Sequence, residues 1–525
     1  MTSGAYYKSR QGALPWLING SRMSHVLRAI LVALVVVGLL LPSTAGGRVN
    51  IVLLGSTGNL AEKYLWQSLY NIHTDGLSTE DAMFVYPAAT KDAEKSTPIL
   101  ERILEEAITP TSQESKKEFL ARVASYVQLR REDQYKELGE QMARDAAASG
   151  EIEAGRLFYL SVPPKFFGSI AENINKHLRP QTEGAWLRVI VEKPFGVDSE
   201  SAEKLANSLY DSLGKHEILL VDHYMGKAGL HGIREFLQKN PLVNYANGRD
   251  IKQIEIGMLE TEDCKGRTGF YDEVGVIRDT IQNHLMMMLA LVGLDGTDPS
   301  IEEAERRKHV IEKLNTATYR RLVHLGQYSS YQEHINEDRA KWGEPPAEGK
   351  SVTPTYAHIL MKLRGLNNHL DGVPIHLKSG KALDLRRSYV ELLFDDGEIL
   401  VFNVQGPTPF GLSGTMIGAS RRLAEFVPPE NWNLQNLENF GHVAVAPETP
   451  SAYESLLRGG LEGDNKNFVR LDEVLEAWRV WTPLIKQVEE RHAKVMQVFE
   501  LYPKGADFYK SDGKERRRHN RHDEL

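Results

Sequence analysis

One cysteine, Cys264, is all the sulfhydryl chemistry that 525 residues contain. No internal disulfide can form, so the fold must rest on a buried core, and a single thiol is compatible with an oxidising compartment. Excess positive charge is missing as well. The formal net charge is −8, which argues against a nucleic-acid surface. The basic run KERRRHNRH lies in the last residues and reads as a solvated tail. Long hydrophobic runs are absent. The apolar stretch Ala29–Leu41 falls short of the roughly 20 residues that a membrane span needs. Internal repeats, low-complexity blocks and, beyond residue 47, Asn-x-Ser/Thr glycosylation acceptors are absent too.

The two ends carry addresses. SHVLRAILVALVVVGLLLPSTAGG has Arg28 ahead of the apolar stretch, with Ser43 and Ala45 at the small-residue spacing of a signal-peptidase site. This predicts a secretory signal peptide within residues 1–47, with an uncleaved signal-anchor as the alternative. His522-Asp523-Glu524-Leu525 is a retention address for the endoplasmic reticulum. An entry signal and a retention signal on one chain make each other meaningful. The expected location is the lumen, and the expected partner is the retrieval receptor that reads HDEL.

At 41% hydrophobic, the chain can bury a large core and should divide into domains. From Arg48, short apolar runs alternate with helical patterns: VNIVLL, MFVYPAA, RLFYLSV, WLRVIVE and HEILLV. That alternation predicts a Rossmann-like, doubly wound parallel sheet over residues 48–228. IKQIEIGMLE, TYAHILMKLR, YVELLF and EILVFNVQ read as longer strands. They predict a larger α+β domain over 229–508, its mostly antiparallel sheet covered by helices. Residues 509–525 form the basic tail.

Ligands of such parallel sheets bind outside the carboxyl ends of the strands. Gly55-Ser56-Thr57-Gly58-Asn59-Leu60 stands between a strand and a helix. Glycines there let the backbone approach a pyrophosphate, which the helix amino terminus stabilises; the plain alternative is a tight turn. After the second strand, Lys91 favours a 2′-phosphate, hence NADP, whereas the neighbouring Asp92 favours a free ribose, hence NAD. Lys193 follows a buried strand, where a solvated rim lysine is the plain alternative. EILLVDHYMGK, residues 217–227, ends an apolar strand in an acid, an imidazole, a phenol and an amine, which suggests the floor of a site. His223 and His284 are candidates for phosphate binding and proton abstraction near neutral pH, and Asp222 could orient such a base. A buried structural histidine is the plain alternative for His284. Asp279, five residues earlier, sits about 140° around an ordinary helix, so a shared cleft would have to be wide. Lys378, Lys381, Arg386 and Arg387 crowd LKSGKALDLRR and could hold a phosphoryl group, or face solvent. No metal site is expected.

GSTGNLAEKYLW, RLFYLSVPP, VIVEKPFG, VDHYMGK, GRTGFYDEVGVIRDTIQNHL and VPIHLKSGKAL resemble, in order and spacing, the motifs of the glucose-6-phosphate dehydrogenase family. The resemblance spans residues 48–500. KYLW and GAWLRV are most similar to the endoplasmic-reticulum hexose-6-phosphate dehydrogenases, the dehydrogenase part only, without a lactonase domain. The resemblance implies oxidation of glucose 6-phosphate at carbon 1, with other hexose 6-phosphates as further candidate substrates. The products would be 6-phosphogluconolactone and NADPH, the first oxidative step of the pentose phosphate pathway. It further implies a homodimer or homotetramer. His284 would be the base and Asp222 its orienting acid. His223, Tyr224, Lys381 and Arg386 would hold the 6-phosphate. Lys193, Lys227, Glu260, Asp279 and Gln405 would position the hydroxyls, with Lys193 also near the nicotinamide. Departures from the family pattern are Asn59 for Asp, Phe167 for Tyr, and Ala89 at the usual 2′-phosphate arginine, which leaves NAD open. Asn403 and Glu391 stand where some members bind a second NADP. Two alternatives remain: a broad hexose dehydrogenase acting on free glucose with NAD or NADP, and a non-catalytic sugar-phosphate or nucleotide-binding protein.

Overall fold

The computed structural model describes residues 47–506, apart from 241–250, 296, 315–322, 367–369, 396, 398, 407–414, 419–432, 438–440, 446–449 and 496–499. The expected signal and HDEL segments lie outside the described residues. Strands β1 (Arg48–Leu54), β2 (Ala82–Ala89), β3 (Val127–Gln128), β4 (Glu153–Leu160), β5 (Trp186–Val191) and β6 (Ile218–Leu220) form one sheet in the order β3-β2-β1-β4-β5-β6. Every neighbouring pair runs parallel. The order reverses between β1 and β4, the topological switch point where doubly wound sheets bind ligands. β1 is buried along its whole length. Val52 and Leu54 enter one core layer and Val49, Ile51 and Leu53 the other, as the two-residue period of a strand dictates. That double burial is why the sequence there is almost uninterrupted Val, Ile and Leu.

The helix after β1 starts as a wide π turn, Ala61–Leu65, and continues as Trp66–Asp75. Leu65, Leu69 and Ile72 are buried on its inner face. The Trp66 indole donates to the carbonyl of Ser56 at 3.0 Å, so the same helix pins the glycine turn.

The second sheet has ten strands: β7 (Ile251–Leu259), β8 (Val323–Tyr328), β9 (Tyr356–Lys362), β10 (Pro374–Gly380), β11 (Arg387–Phe394), β12 (Ile399–Gln405), β13 (Thr415–Gly418), β14 (Asn433–Leu437), β15 (Gly441–Val445) and β16 (Glu500–Tyr502). Their order is β14-β15-β13-β12-β11-β7-β10-β9-β8-β16. Apart from the parallel pairs β7–β10 and β8–β16, neighbours are antiparallel. Met286–Val292 is buried on every side, which its wholly apolar sequence requires. Just before it, Ile277–Leu285 is wound as a π-helix, and the Thr280 hydroxyl ties it to Ser379 of β10 at 2.8 Å. Helices Glu303–Glu312 and Leu471–Val495 are joined by fully buried Arg307, which makes two hydrogen bonds to Glu473 at 2.8 and 3.1 Å.

Candidate functional site

Each tip of the parallel sheet delivers a short polar segment to one edge. After β1, Gly55 adopts φ +92°, and a Cβ there would lie 2.1 Å from the Ser161 carbonyl oxygen. Only glycine permits so close an approach of two strand tips. The turn opens a helix whose first amides lack acceptors within the helix, a cradle suited to a pyrophosphate. After β2, Lys91 is exposed. Asp92 is the N-cap of Ala93–Glu106, accepting from the amides of Glu94 and Lys95. Asp92 therefore has a structural role whether or not a ribose binds beside it.

After β6, Asp222 is 2% exposed and accepts the Tyr224 amide at 3.0 Å. Its Oδ1 also lies 2.5 Å from Nδ1 of His284, a residue only 3% exposed. Lys193, after β5, places Nζ 2.8 Å from His284 Nε2. With Nδ1–H donating to the carboxylate, Nε2 keeps a lone pair toward the ammonium. Burial drives the His284 pKa below its ordinary value, although Asp222 opposes this. Burial would raise the Asp222 carboxyl, but the ring of His284, its hydrogen bond and Lys193 hold it well below the usual carboxylate range. Burial, with His284 and Lys193 nearby, also lowers His223. Burial therefore favours the neutral form of both imidazoles.

Asp222, His223 and His284 offer ligand atoms within 4.8 Å of one another, close enough for a cation. Both ring nitrogens of His284 are already engaged, by Asp222 and Lys193, which favours a proton-transfer array over a metal site.

A cavity of about 510 Å³ lies beside this array, lined by Lys193, His223, Tyr224, Lys227, Glu260, Asp279, His284, Lys381, Arg386 and Gln405. Eight residues expected to touch the sugar phosphate (His223, Tyr224, Lys227, Glu260, Asp279, Lys381, Arg386, Gln405) and Lys193 thus meet the expected base in one chamber. Lys381 pairs with Glu260 and, at 2.9 Å, with Asp279. Lys227 donates to Gln405 and sits 3.7 Å above the Tyr224 ring; burial lowers its pKa to about 7. The Tyr224 hydroxyl meets Ser388 at 2.8 Å. Arg386 is half exposed and bonds Glu262 at 3.0 Å.

Two expectations need correction. Asp279 and His284 both line the cavity, because the π winding of Ile277–Leu285, with its i→i+5 hydrogen bonds, puts more residues in each turn than an α-helix and narrows the angle between residues five apart. Of the four-cation cluster, only Lys381 and Arg386 reach the chamber. Lys378 pairs with Glu255 at 3.2 Å, and Arg387 packs over the Tyr389 ring at 4.3 Å.

Other groups at the chamber carry no role in the sequence pattern, though some lie within its motifs. Tyr64, Tyr453 and His223 form a ladder of rings, with centroids 5.0 and 5.9 Å apart. Arg267 and Ser388 also line the wall. Behind the wall, Glu192, beside Lys193, accepts the Tyr159 hydroxyl at 2.6 Å, and burial pushes its carboxyl up to about 7.

Residues 52–231 match the glucose-6-phosphate dehydrogenase NAD binding domain, and residues 238–520 match the glucose-6-phosphate dehydrogenase C-terminal domain. The GDH/6PGL endoplasmic bifunctional protein of Oryctolagus cuniculus is 35% identical over 88% of this chain and 61% of its own length. The protein of the same name from Homo sapiens is 33% identical over 91% and 63%. The chain thus spans about three-fifths of these relatives. A solved glucose-6-phosphate dehydrogenase in complex with its substrate glucose-6-phosphate has the same fold, with a TM-score of 0.69 at 23% identity over 89% of this chain and 96% of that one. Two family domains in succession, covering nearly all of the chain beyond residue 51 and enclosing one polar chamber, establish that it belongs to the glucose-6-phosphate dehydrogenase family.

Proposed function

We propose that the chain oxidises glucose 6-phosphate, with other hexose 6-phosphates as further candidate substrates, at carbon 1, using NADP. The observation that carries this reading is the Asp222–His284–Lys193 array opening on to a chamber with five cationic side chains, Lys193, Lys227, Arg267, Lys381 and Arg386, against two carboxylates, Glu260 and Asp279. Such a balance suits a phosphorylated sugar and disfavours an uncharged one.

His284 takes the proton of the carbon-1 hydroxyl on Nε2, and Asp222 stabilises the imidazolium from the other side of the ring. The hydroxyl enters where Lys193 now meets Nε2, so Lys193 orients the sugar oxygen. Glu260, Asp279 and Gln405 accept from ring hydroxyls, while His223, Tyr224, Lys227, Lys381 and Arg386 hold the phosphate. That remote anchor supplies positioning energy to the reacting carbon. Gly55, Ser56, Thr57, Gly58, Asn59 and Leu60 hold the cofactor pyrophosphate, with Lys91 on its adenosine side. Bound NADP supplies the hydride acceptor. Ala89 in place of an arginine favours a second reading on the cofactor, use of NAD.

The domain limits 48–228 and 229–508 belong to the same proposal, as do a homodimer or homotetramer and residence in the endoplasmic-reticulum lumen through HDEL. Among the described residues, no helix is long and apolar enough to cross a membrane. The test is a steady-state matrix of phosphorylated and free hexoses against NADP and NAD. Highest kcat/KM for glucose 6-phosphate with NADP is expected; a preference for free glucose overturns the substrate assignment. Deleting residues 522–525 should send the protein into the medium, and unchanged retention overturns the location.

A further inference from the structure

Of the five cations on the chamber wall, four are already engaged. Lys193 meets His284, Lys227 donates to Gln405, Lys381 pairs with Glu260 and Asp279, and Arg386 pairs with Glu262. Arg267 differs. Its guanidinium lines the same chamber and carries five donors in a rigid fork, yet makes no hydrogen bond or ion pair among the described residues.

The backbone that carries this fork is pinned from both sides. Arg267 stands just ahead of the helix Thr268–Val276. Fully buried Asp338 accepts the Gly266 amide at 2.9 and 2.7 Å, the Thr268 amide at 3.2 Å and the Thr268 hydroxyl at 2.8 Å. A fixed backbone with an unengaged side chain suits a change of partners.

Partial burial opposes the charge of Arg267, but Asp279, Cys264 and Glu260 raise its pKa above the ordinary arginine value. Arg386 acts elsewhere: after burial, it contributes most to lowering Lys227. Arg267 thus belongs to the carboxylate side of the chamber, and Arg386 to the side of Lys227. Between them Lys381 is buried and held by two carboxylates. A phosphate that draws Lys381 off would strand both, which is costly in a buried site, and like charges left side by side repel. Asp279 has room to turn, because it lines both the chamber and a second cavity of about 310 Å³ behind it.

We propose that Arg267 is a positioning residue that relieves Lys381: as Lys381 turns to the 6-phosphate, Arg267 takes over Glu260 and Asp279 and keeps them aimed at the ring hydroxyls. An uncharged sugar leaves Lys381 in place and makes no call on Arg267. The proposal rests on the dehydrogenase reading for its ligand.

The structural test is a pair of crystal structures of the full chain, without ligand and soaked with glucose 6-phosphate. With the sugar, Arg267 should lie within hydrogen-bond distance of Glu260 or Asp279, and Lys381 against the phosphate. Arg267 on the phosphate itself, or Lys381 still holding both carboxylates, overturns the exchange. The solution test joins calorimetry to steady-state assays. Arg267→Gln should weaken glucose 6-phosphate binding about tenfold, the worth of one charged hydrogen bond, with kcat kept and rates on free glucose scarcely changed. Arg267→Lys keeps the charge and should recover most of the loss. Unchanged affinity in Arg267→Gln, equal loss in both variants, or a parallel loss on free glucose overturns the proposal. Glucose 6-phosphate that binds without being oxidised overturns the dehydrogenase reading alone, and affinity and the two structures still decide the exchange. A parent chain that does not bind it overturns both.

Discussion

Asp222 and His284 stand 62 residues apart in sequence, yet Oδ1 of one lies 2.5 Å from Nδ1 of the other. A strand tip supplies the acid and a helix of the second domain supplies the imidazole. Removing the imidazole should therefore remove proton transfer and leave sugar binding. His284→Ala is expected to lower kcat about 10²–10⁴-fold, with KM for glucose 6-phosphate within a few-fold of the parent in a cofactor-reduction assay. Asp222→Asn should also lower kcat, because its amide can present a donor to Nδ1 and turn the tautomer.

If Lys381 and Arg386 hold the 6-phosphate as proposed, they should separate sugars by charge. Arg386→Ala should raise KM for glucose 6-phosphate about tenfold, the worth of one charged hydrogen bond, with kcat kept. Lys381→Gln should do more, since it also leaves Glu260 and Asp279 facing each other without their shared cation. Rates with free glucose should scarcely change in Arg386→Ala; a parallel loss on both sugars would place the phosphate elsewhere.

Activity should be confined to a window around neutral pH. In the proposed mechanism His284 works unprotonated, and burial lowers its pKa, so the acid limb should lie below the ordinary histidine value of about 6.5. In the proposed phosphate grip Lys227 works protonated, and burial lowers it to about 7, so kcat/KM for phosphorylated sugars should fall as pH rises through that value. Lys227→Arg, which keeps its charge, should push the alkaline limb upward. An unmoved limb would assign it to another group.

At the cofactor turn, Gly55→Ala would bring a Cβ within 2.1 Å of the Ser161 carbonyl at φ +92°. Destabilisation of about 1–3 kcal/mol and weaker NADP binding are expected, read by urea denaturation and calorimetry.

Far from the chemistry, Arg307→Met should cost about 3–5 kcal/mol, because it strands the buried carboxylate of Glu473. Adding Glu473→Leu should recover most of the loss, a coupling that a double-mutant cycle measures.

Some of the site was legible because its signals are local. A buried strand must be apolar along its length, so the change at Gly55, Lys193 and Asp222 from aliphatic to glycine or charge marks a strand tip wherever the chain goes next. Tyr64 and Tyr453 give no such signal. One lies on a helix of the first sheet and the other at the start of a helix near residue 452, and their stacking depends on how distant elements pack. Lys378 and Lys381 look equivalent in sequence. The first is held on β10 by Glu255, while the second lies past the strand end and reaches the chamber.

By itself the sequence determined the parallel sheet, the glycine turn and the segments that end in chemistry, because hydrophobic period and turn residues act over a few neighbours. Tertiary structure alone decided how closely the expected pair Asp222 and His284 meets, that a π winding brings Asp279 toward the side of His284, and that a second cavity lies behind them. Those outcomes depend on helix winding and on contacts between residues far apart in the chain, which no short stretch of residues encodes.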